Sequence, residues 1–392
     1  MKKLLISLFA LVAALASCSK SAVVEVPFEN IPISFSPYNG RTPEVKSTSF
    51  EADSLDSFKF HALAFLNEAS TYLDKTVWRE EIEGTKTWKY DGVSYWPGTA
   101  TLEFLAYGLN TNYNANDVDD NIVTLAQNKR SIAVAVPDVV KNQRDLLVAT
   151  PAKESFTTSG GTVGLNFAHM FSRIQFSLKT TDGNNIAVAV EDINISGNFY
   201  KTGNVDLTYR ETTPATETEP AVVVKPSIDV TGVTAEATTY NYIVNGTESY
   251  TGIGSNEGDP IYDNSMMWTK NTGNDSDSEN DDEYVANAEG DADAAAWNKA
   301  NRFMMIIPVE GATHQAELNV KYFLPFAGTF DADSDPTTPE VEPIDLSGVN
   351  FEAGKSYNFV LEISTNSIKF TVEITDWVDG TIPAEKQVIK LN

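Results

Sequence analysis

The chain has 392 residues, 42% of them hydrophobic, which is enough for two or three domains with buried cores. Its formal net charge is −27, with 55 acids against 28 Lys and Arg, and this excludes nucleic acid and anionic lipid headgroups as natural partners. The charge favours solubility and does not specify a fold.

The chain opens with MKKLLISLFALVAALASCSK. Lys2 and Lys3 precede an apolar run from Leu4 to Leu15, the layout of a secretory signal and too short for a spanning helix. Residues 1–17 are therefore read as a signal peptide. Leu15-Ala16-Ser17-Cys18 resembles the lipobox of bacterial lipoproteins, with Cys18 as the lipidated residue after cleavage. Cys18 is the chain's single cysteine and so has no internal disulfide partner. Several acyl chains on one residue give a stable anchor where one chain gives only marginal binding. Losing two lysines with the signal takes the net charge to −29. The flank Ser19-Lys20-Ser21-Ala22 is not acidic, and Glu25 is its first acid.

The first strand is expected in ISFSPYNGRTPEV, where Ile33 and Phe35 alternate with Ser34 and Ser36. Pro37, Asn39 and Gly40 then break the strand and present Arg41. Asp53-Ser54-Leu55 resembles a short O-glycosylation motif. Period-two alternation continues through SFKFHALAF, TLEFLAYGL, SIAVAVP, SRIQFSLK, IAVAVEDINIS, AELNVKYFL, YNFVLEIS and SIKFTVEITDW. Asp91-Gly92 between aromatic arms predicts a hairpin, and Thr365-Asn366-Ser367 is read as joining another strand pair. Short helices are expected only at Asn67 to Leu73 and Asp293 to Ala300. The pattern predicts an all-β protein of β-sandwiches. Ser159-Gly160-Gly161 is taken as the domain boundary, giving sandwiches over 42–160 and 161–392. Two acidic insertions, Glu211 to Ala221 and Asn271 to Ala296, read as surface loops of the C-terminal half.

Little in the chain carries catalysis. His61, His169 and His314 stand apart in sequence, and His61 and His169 read as structural. HExxH, GxSxG, Walker and CxxC motifs are all absent from the sequence. Carboxylates are so numerous that no particular pair argues for glycoside hydrolysis. Calcium is the one cofactor for which there is a pattern. Asp275, Asp277, Glu279 and Asp281 have the alternate spacing of an EF-hand start, but Asn280 replaces the turn glycine and Ala286 takes the twelfth position. Asp331, Asp333, Asp335 and Glu342 fit positions one, three, five and twelve, but Pro336 forbids the usual turn. Solvated acidic loops are the simpler reading of both. Trp78, Trp88, Tyr90, Tyr95 and Trp96 cluster in one segment. They either fill a core or, if exposed, stack on sugar rings.

ISFSPYNGR, SYWPGTATLEFLAYG, LNFAHMFSRIQFSLK, FEAGKSYNFVLEI and VEITDWVDG, in this order and behind a lipobox, together resemble the fimbrillin family of Bacteroidetes. The resemblance covers about Ile33 to Gly380. It implies two transthyretin-like β-sandwich domains, lipoprotein export to the outer membrane and cell surface, and polymerisation into adhesive pili. It also implies that an arginine-specific protease cuts between Arg41 and Thr42, releasing the lipid-bearing segment 18–41 and its strand. Ile33 and Phe35 would be the plugs lost. The partners implied are other pilin subunits, one of which donates a strand to the opened groove. This chain's own donor candidate is the segment 387–392, through Val388, Ile389 and Leu391, with imperfect alternation that leaves stalk, tip and accessory roles open. The alternative is a monomeric surface glycan-binding lipoprotein with a permanent first strand.

Replacing Cys18 with alanine is expected to abolish incorporation of labelled palmitate and to move the protein out of the membrane fraction.

Overall fold

The computed structural model describes residues 31–39, 58–67, 70–82, 85–110, 122–180, 187–216, 221–243, 248–251, 259–260, 268–270, 284–286, 303–309, 315–323, 343–363, 368–377 and 387–391. Among them the architecture is all-β, with one single-turn helix and one 3₁₀ turn. The first half supplies β1 (Ser34–Asn39), β2 (Lys59–Leu66), β3 (Ser70–Ile82), β4 (Thr85–Tyr90), β5 (Leu102–Asn110), β6 (Val123–Leu125), β7 (Ser131–Ala135), β8 (Asp145–Ala149), β9 (Ala152–Glu154), α1 (Phe156–Ser159) and β10 (Thr162–His169). β11 (Ser172–Thr180), β12 (Ala187–Phe199) and β13 (Thr202–Asp206) follow.

The largest sheet runs in the order β1-β10-β8-β5-β2-β3-β4, with β9 on β5. All its pairings are antiparallel except β1 with β10. Its central strands bury side chains on both faces. Phe60, Ala62 and Ala64 of β2 join one core with Phe104, Ala106, Val163, Leu165 and Phe167. Leu63 and Phe65 join the other, as the period-two alternation of a strand requires. Burial on both faces explains why KFHALAFL is nearly continuously apolar.

The second core extends from Leu63 to Trp377 and so takes residues from both sides of Gly160. A four-stranded sheet also spans that point, pairing β7 with β13 and adding β6 and Ile228–Asp229 at its edges. The other two large sheets belong to the second half. One runs Asp259–Pro260, β11, Lys355–Ile363, Ile368–Asp376, Gln387–Leu391, and the other Glu236–Ile243, β12, Ala316–Phe323, Ile344–Asp345. β11 pairs parallel with Lys355–Ile363, just as β1 pairs parallel with β10. In each half an early strand thus returns beside a late one, which requires a long crossover.

Polar contacts tie the halves together. Gln143 Oε1 accepts a 2.6 Å bond from the amide of Met305. His169 lies 2.8 Å through Nδ1 from Asp145 Oδ2, both buried, and its ring stacks on Trp377 at 4.1 Å. Glu103, 3% exposed, takes Arg130 at 2.5 Å and the Tyr209 amide at 2.9 Å, while the Arg130 guanidinium lies 3.7 Å from the Phe65 ring centre. A buried carboxylate needs such partners to offset its lost hydration.

The strand readings of all eight quoted segments hold. The pair flanking Thr365-Asn366-Ser367 also holds, with Ile363 opposite Ile368. Two expectations fail. Asn67 to Leu73 is not helical: Asn67 turns the chain at φ +54°, and β3 starts at Ser70 because Leu73 and Val77 fill the first core. Asp91-Gly92 turns with Gly92 at φ +77° but makes no hairpin, because the backbone of residues 94–96 pairs with residues 31–33 and not back with β4. The second helix expectation, Asp293 to Ala300, and nearly all of the Asn271 to Ala296 insertion lie outside the described residues, while in the Glu211 to Ala221 insertion Glu211–Thr213 is an exposed strand paired with Val222–Val223.

Glu103→Ala is expected to lower stability by roughly 3 kcal/mol, because it removes the buried carboxylate to which both Arg130 and the Tyr209 amide are bonded. Chemical denaturation with unchanged m value checks it.

Candidate functional site

The site is the slot that β1 occupies. β10 forms one lip and the segment Ser94 to Trp96 the other. Residues 34–39 are bonded to the first lip and residues 31–33, just before the strand, to the second. On the first side, the register runs from Ser34 opposite Thr162 to Asn39 opposite Phe167. On the second, the Ile33 amide donates to Ser94 O at 2.8 Å and the Trp96 amide to Ile31 O at 3.0 Å, around a Pro32–Tyr95 bridge. Main-chain groups of the first strand are thus paired in two directions, and its departure would bare donors and acceptors on both lips.

Alternation decides which side chains plug the slot. Ile33, Phe35 and Pro37 are buried, while Ser34 and Ser36 are exposed. Ile33 is 2% and Phe35 5% exposed, and burying such side chains stabilises by about 1.5–3 kcal/mol each. Phe35 meets three rings edge-on: Phe60 of β2 at 6.0 Å, Phe104 of β5 at 6.2 Å and Tyr90 of β4 at 5.9 Å. Tyr90 also donates its hydroxyl to Ile33 O at 2.8 Å and accepts from the Ser94 amide at 3.3 Å. Burial raises the Tyr90 hydroxyl above its ordinary pKa, and its bonds to Ser94 partly oppose this.

The carbonyl of Gly161 joins the lips. It accepts from the Ser34 amide at 3.1 Å, from Ser34 Oγ at 3.2 Å and from the indole Nε1 of Trp96 at 3.2 Å. Gly161 has φ +99° and follows Gly160, the left-handed cap of α1 at φ +62°. Two successive positive φ values aim that carbonyl into the slot and account for the glycine pair. Sequence reading located these glycines as a break in the strand pattern and missed this role, as it missed Tyr90. The only sequence signal for either is local, a Gly-Gly after a capped turn and an aromatic at the end of a strand.

Of the sequence candidates, the structure brings Ile33 and Phe35 together in the slot. Val388, Ile389 and Leu391 lie elsewhere, in a strand paired antiparallel with Ile368–Asp376. Cys18, Arg41, Thr42 and the calcium candidates Asp275, Asp277, Glu279, Asp281, Asp331, Asp333, Asp335 and Glu342 lie outside the described residues. Among the described residues no group of three or more His, Cys, Asp or Glu is placed to hold a metal. Trp96 is fully buried, and Trp88 and Tyr90 pack partly buried against the first core, leaving Tyr95 as the exposed ring of the segment. His61 sits 2.9 Å from Asp74, which Lys129 also engages, and burial lowers its pKa. The slot's polar atoms are mostly main-chain amides and carbonyls, its pockets are apolar, and the arrangement suits holding an extended strand.

Residues 45–252, more than half of the chain, match the family model described as Fimbrillin-like, and the chain belongs to that family. The family is structural and non-enzymatic. Among solved structures the chain is similar to a fimbrial protein from Bacteroides vulgatus, with 16% identity over 88% of this chain and 99% of that one and a TM-score of 0.47. It is also similar to a fimbrial assembly protein from Parabacteroides distasonis, with 11% identity over 92% and 98% and a TM-score of 0.34. Comparison with curated proteins gave no match.

Phe35→Ala is expected to lower stability by about 3–5 kcal/mol, since it empties a pocket walled by three rings. Tyr90→Phe should lose about 1 kcal/mol with the Ile33 hydrogen bond. Thermal and urea unfolding of the intact chain read both.

Proposed function

We propose that this chain is a pilus subunit exported as an outer-membrane lipoprotein through Cys18 and assembled at the cell surface for adhesion. Membership of the Fimbrillin-like family supports association with other pilin subunits. The observation that carries strand exchange is the placement of β1. Together with residues 31–33 before it, it is bonded to both lips of a slot, its buried residues form part of a core, and it is followed by Arg41 in the connection to β2.

In this reading an arginine-specific protease cuts between Arg41 and Thr42. Segment 18–41 then depends on non-covalent contacts and leaves with its lipid. The emptied slot offers paired main-chain vacancies and apolar pockets, which a strand from another subunit fills. Such head-to-tail contacts need not close and so extend as a filament. Gln387–Leu391 is the candidate donor. It lies on a sheet edge against Ile368–Asp376, where leaving uncovers a single neighbour. Each half is read as a transthyretin-like sandwich, 42–160 and 161–392. The parallel pairing of an early strand with a late one in both halves supports this.

Limited digestion of the folded protein with an arginine-specific protease is expected to give one early cut and a new N-terminus at Thr42, read by mass spectrometry. If the bond after Arg41 resists while other arginines are cut, the first strand is permanent and strand exchange is wrong.

A further inference from the structure

The slot does not accept all strands alike. Its buried positions are those of Ile33, Phe35 and Pro37, and the middle one is the most demanding. The Phe35 ring meets Phe60, Phe104 and Tyr90 at 6.0, 6.2 and 5.9 Å with interplanar angles of 87°, 81° and 64°. These are three edge-to-face contacts around one ring, each favourable beyond its buried area.

Register is fixed as tightly as shape. The amides of Ile33 and Ser34 are held by Ser94 O and Gly161 O, on opposite lips. Tyr90, the third wall of the ring pocket, also binds the carbonyl of Ile33, two residues before the ring. A strand seated on these bonds must therefore present its third residue from Ile33 to the pocket. A slip of one residue would turn the apolar set outward.

The chain's own C-terminal strand lacks what this pocket takes. Gln387–Leu391 reads QVIKL and has no aromatic residue. Seating Ile389 and Leu391 at the positions of Ile33 and Phe35 would put a branched aliphatic chain among three ring walls. It would forfeit all three edge contacts and leave a void.

Resting on the strand-exchange reading above, we infer that this slot is refilled by a strand from a different protein. That strand carries an aliphatic residue, then a small polar one, then an aromatic ring at the Phe35 position. The Phe60–Tyr90–Phe104 pocket is the specificity determinant. The chain is thus an acceptor in mixed assembly and does not build a homopolymer through its own tail.

The test uses the mature chain cut at Arg41, freed of segment 18–41, and three labelled peptides read by fluorescence anisotropy. They are IPISFSPYN, the same peptide with the Phe35→Leu change, and the chain's own EKQVIKLN. The first is expected to bind roughly tenfold or more tighter than the second, and the third weakest, with the cut protein forming no homopolymer. Equal affinities for the first two, or growth of the cut protein into filaments through its own tail, would overturn the specificity and leave strand exchange standing. Binding of none of the three would remove strand exchange itself. The uncut chain gives an independent readout. Phe35→Leu should lower Tm by several degrees while Phe35→Tyr lowers it less, and an unchanged Tm for Phe35→Leu refutes the ring pocket whether or not cutting occurs.

Discussion

A sheet edge inside a folded protein must have its main-chain groups paired, and the N-terminal core depends on how this is done. β10 offers an edge on one side of a gap, and residues 94–96 offer another on the far side. One strand answers both, and its alternate side chains complete the aromatic cluster of Phe60, Tyr90 and Phe104 beneath it. Hydrogen bonding and apolar burial are therefore coupled in a single stretch, residues 31–39. Losing it would cost the sheet and the core together.

This coupling explains features that otherwise look incidental. Gly160 and Gly161 take left-handed backbone so that one carbonyl can reach Ser34 and Trp96 at once. Trp96 is buried because its indole N–H has that carbonyl to bond to. Tyr90 stays half-buried with its hydroxyl on the strand's backbone and its ring in the pocket. Each residue serves both the backbone pairing and the packing.

The halves are not independent beads. The second core and the β7–β13 pairing span Gly160, and the Glu103–Tyr209, Gln143–Met305 and Asp145–His169 contacts cross the same junction. Apolar burial and desolvated polar pairs at such a junction resist separation together.

Strand identity was legible in the sequence because a half-buried strand writes its period of two directly into residue order. Ile33, Ser34, Phe35 and Ser36 therefore declared which side chains are buried before any neighbour was known. Failures came where partners are distant. Asp91-Gly92 has hairpin chemistry, yet the chain beyond it pairs with residues some sixty positions earlier, a choice local preference does not encode. Asn67 to Leu73 has helix-like spacing, but a place for Leu73 in the first core made it turn and strand. The sequence by itself determined an all-β chain, its first strand and that strand's inward face, since these follow from alternation and turn residues. Only the tertiary structure decided that β1 lies parallel to β10 between two lips, that Tyr90 and Gly161 hold it, and that three rings enclose Phe35. Those facts depend on contacts between residues far apart in the chain, which no short window of sequence contains.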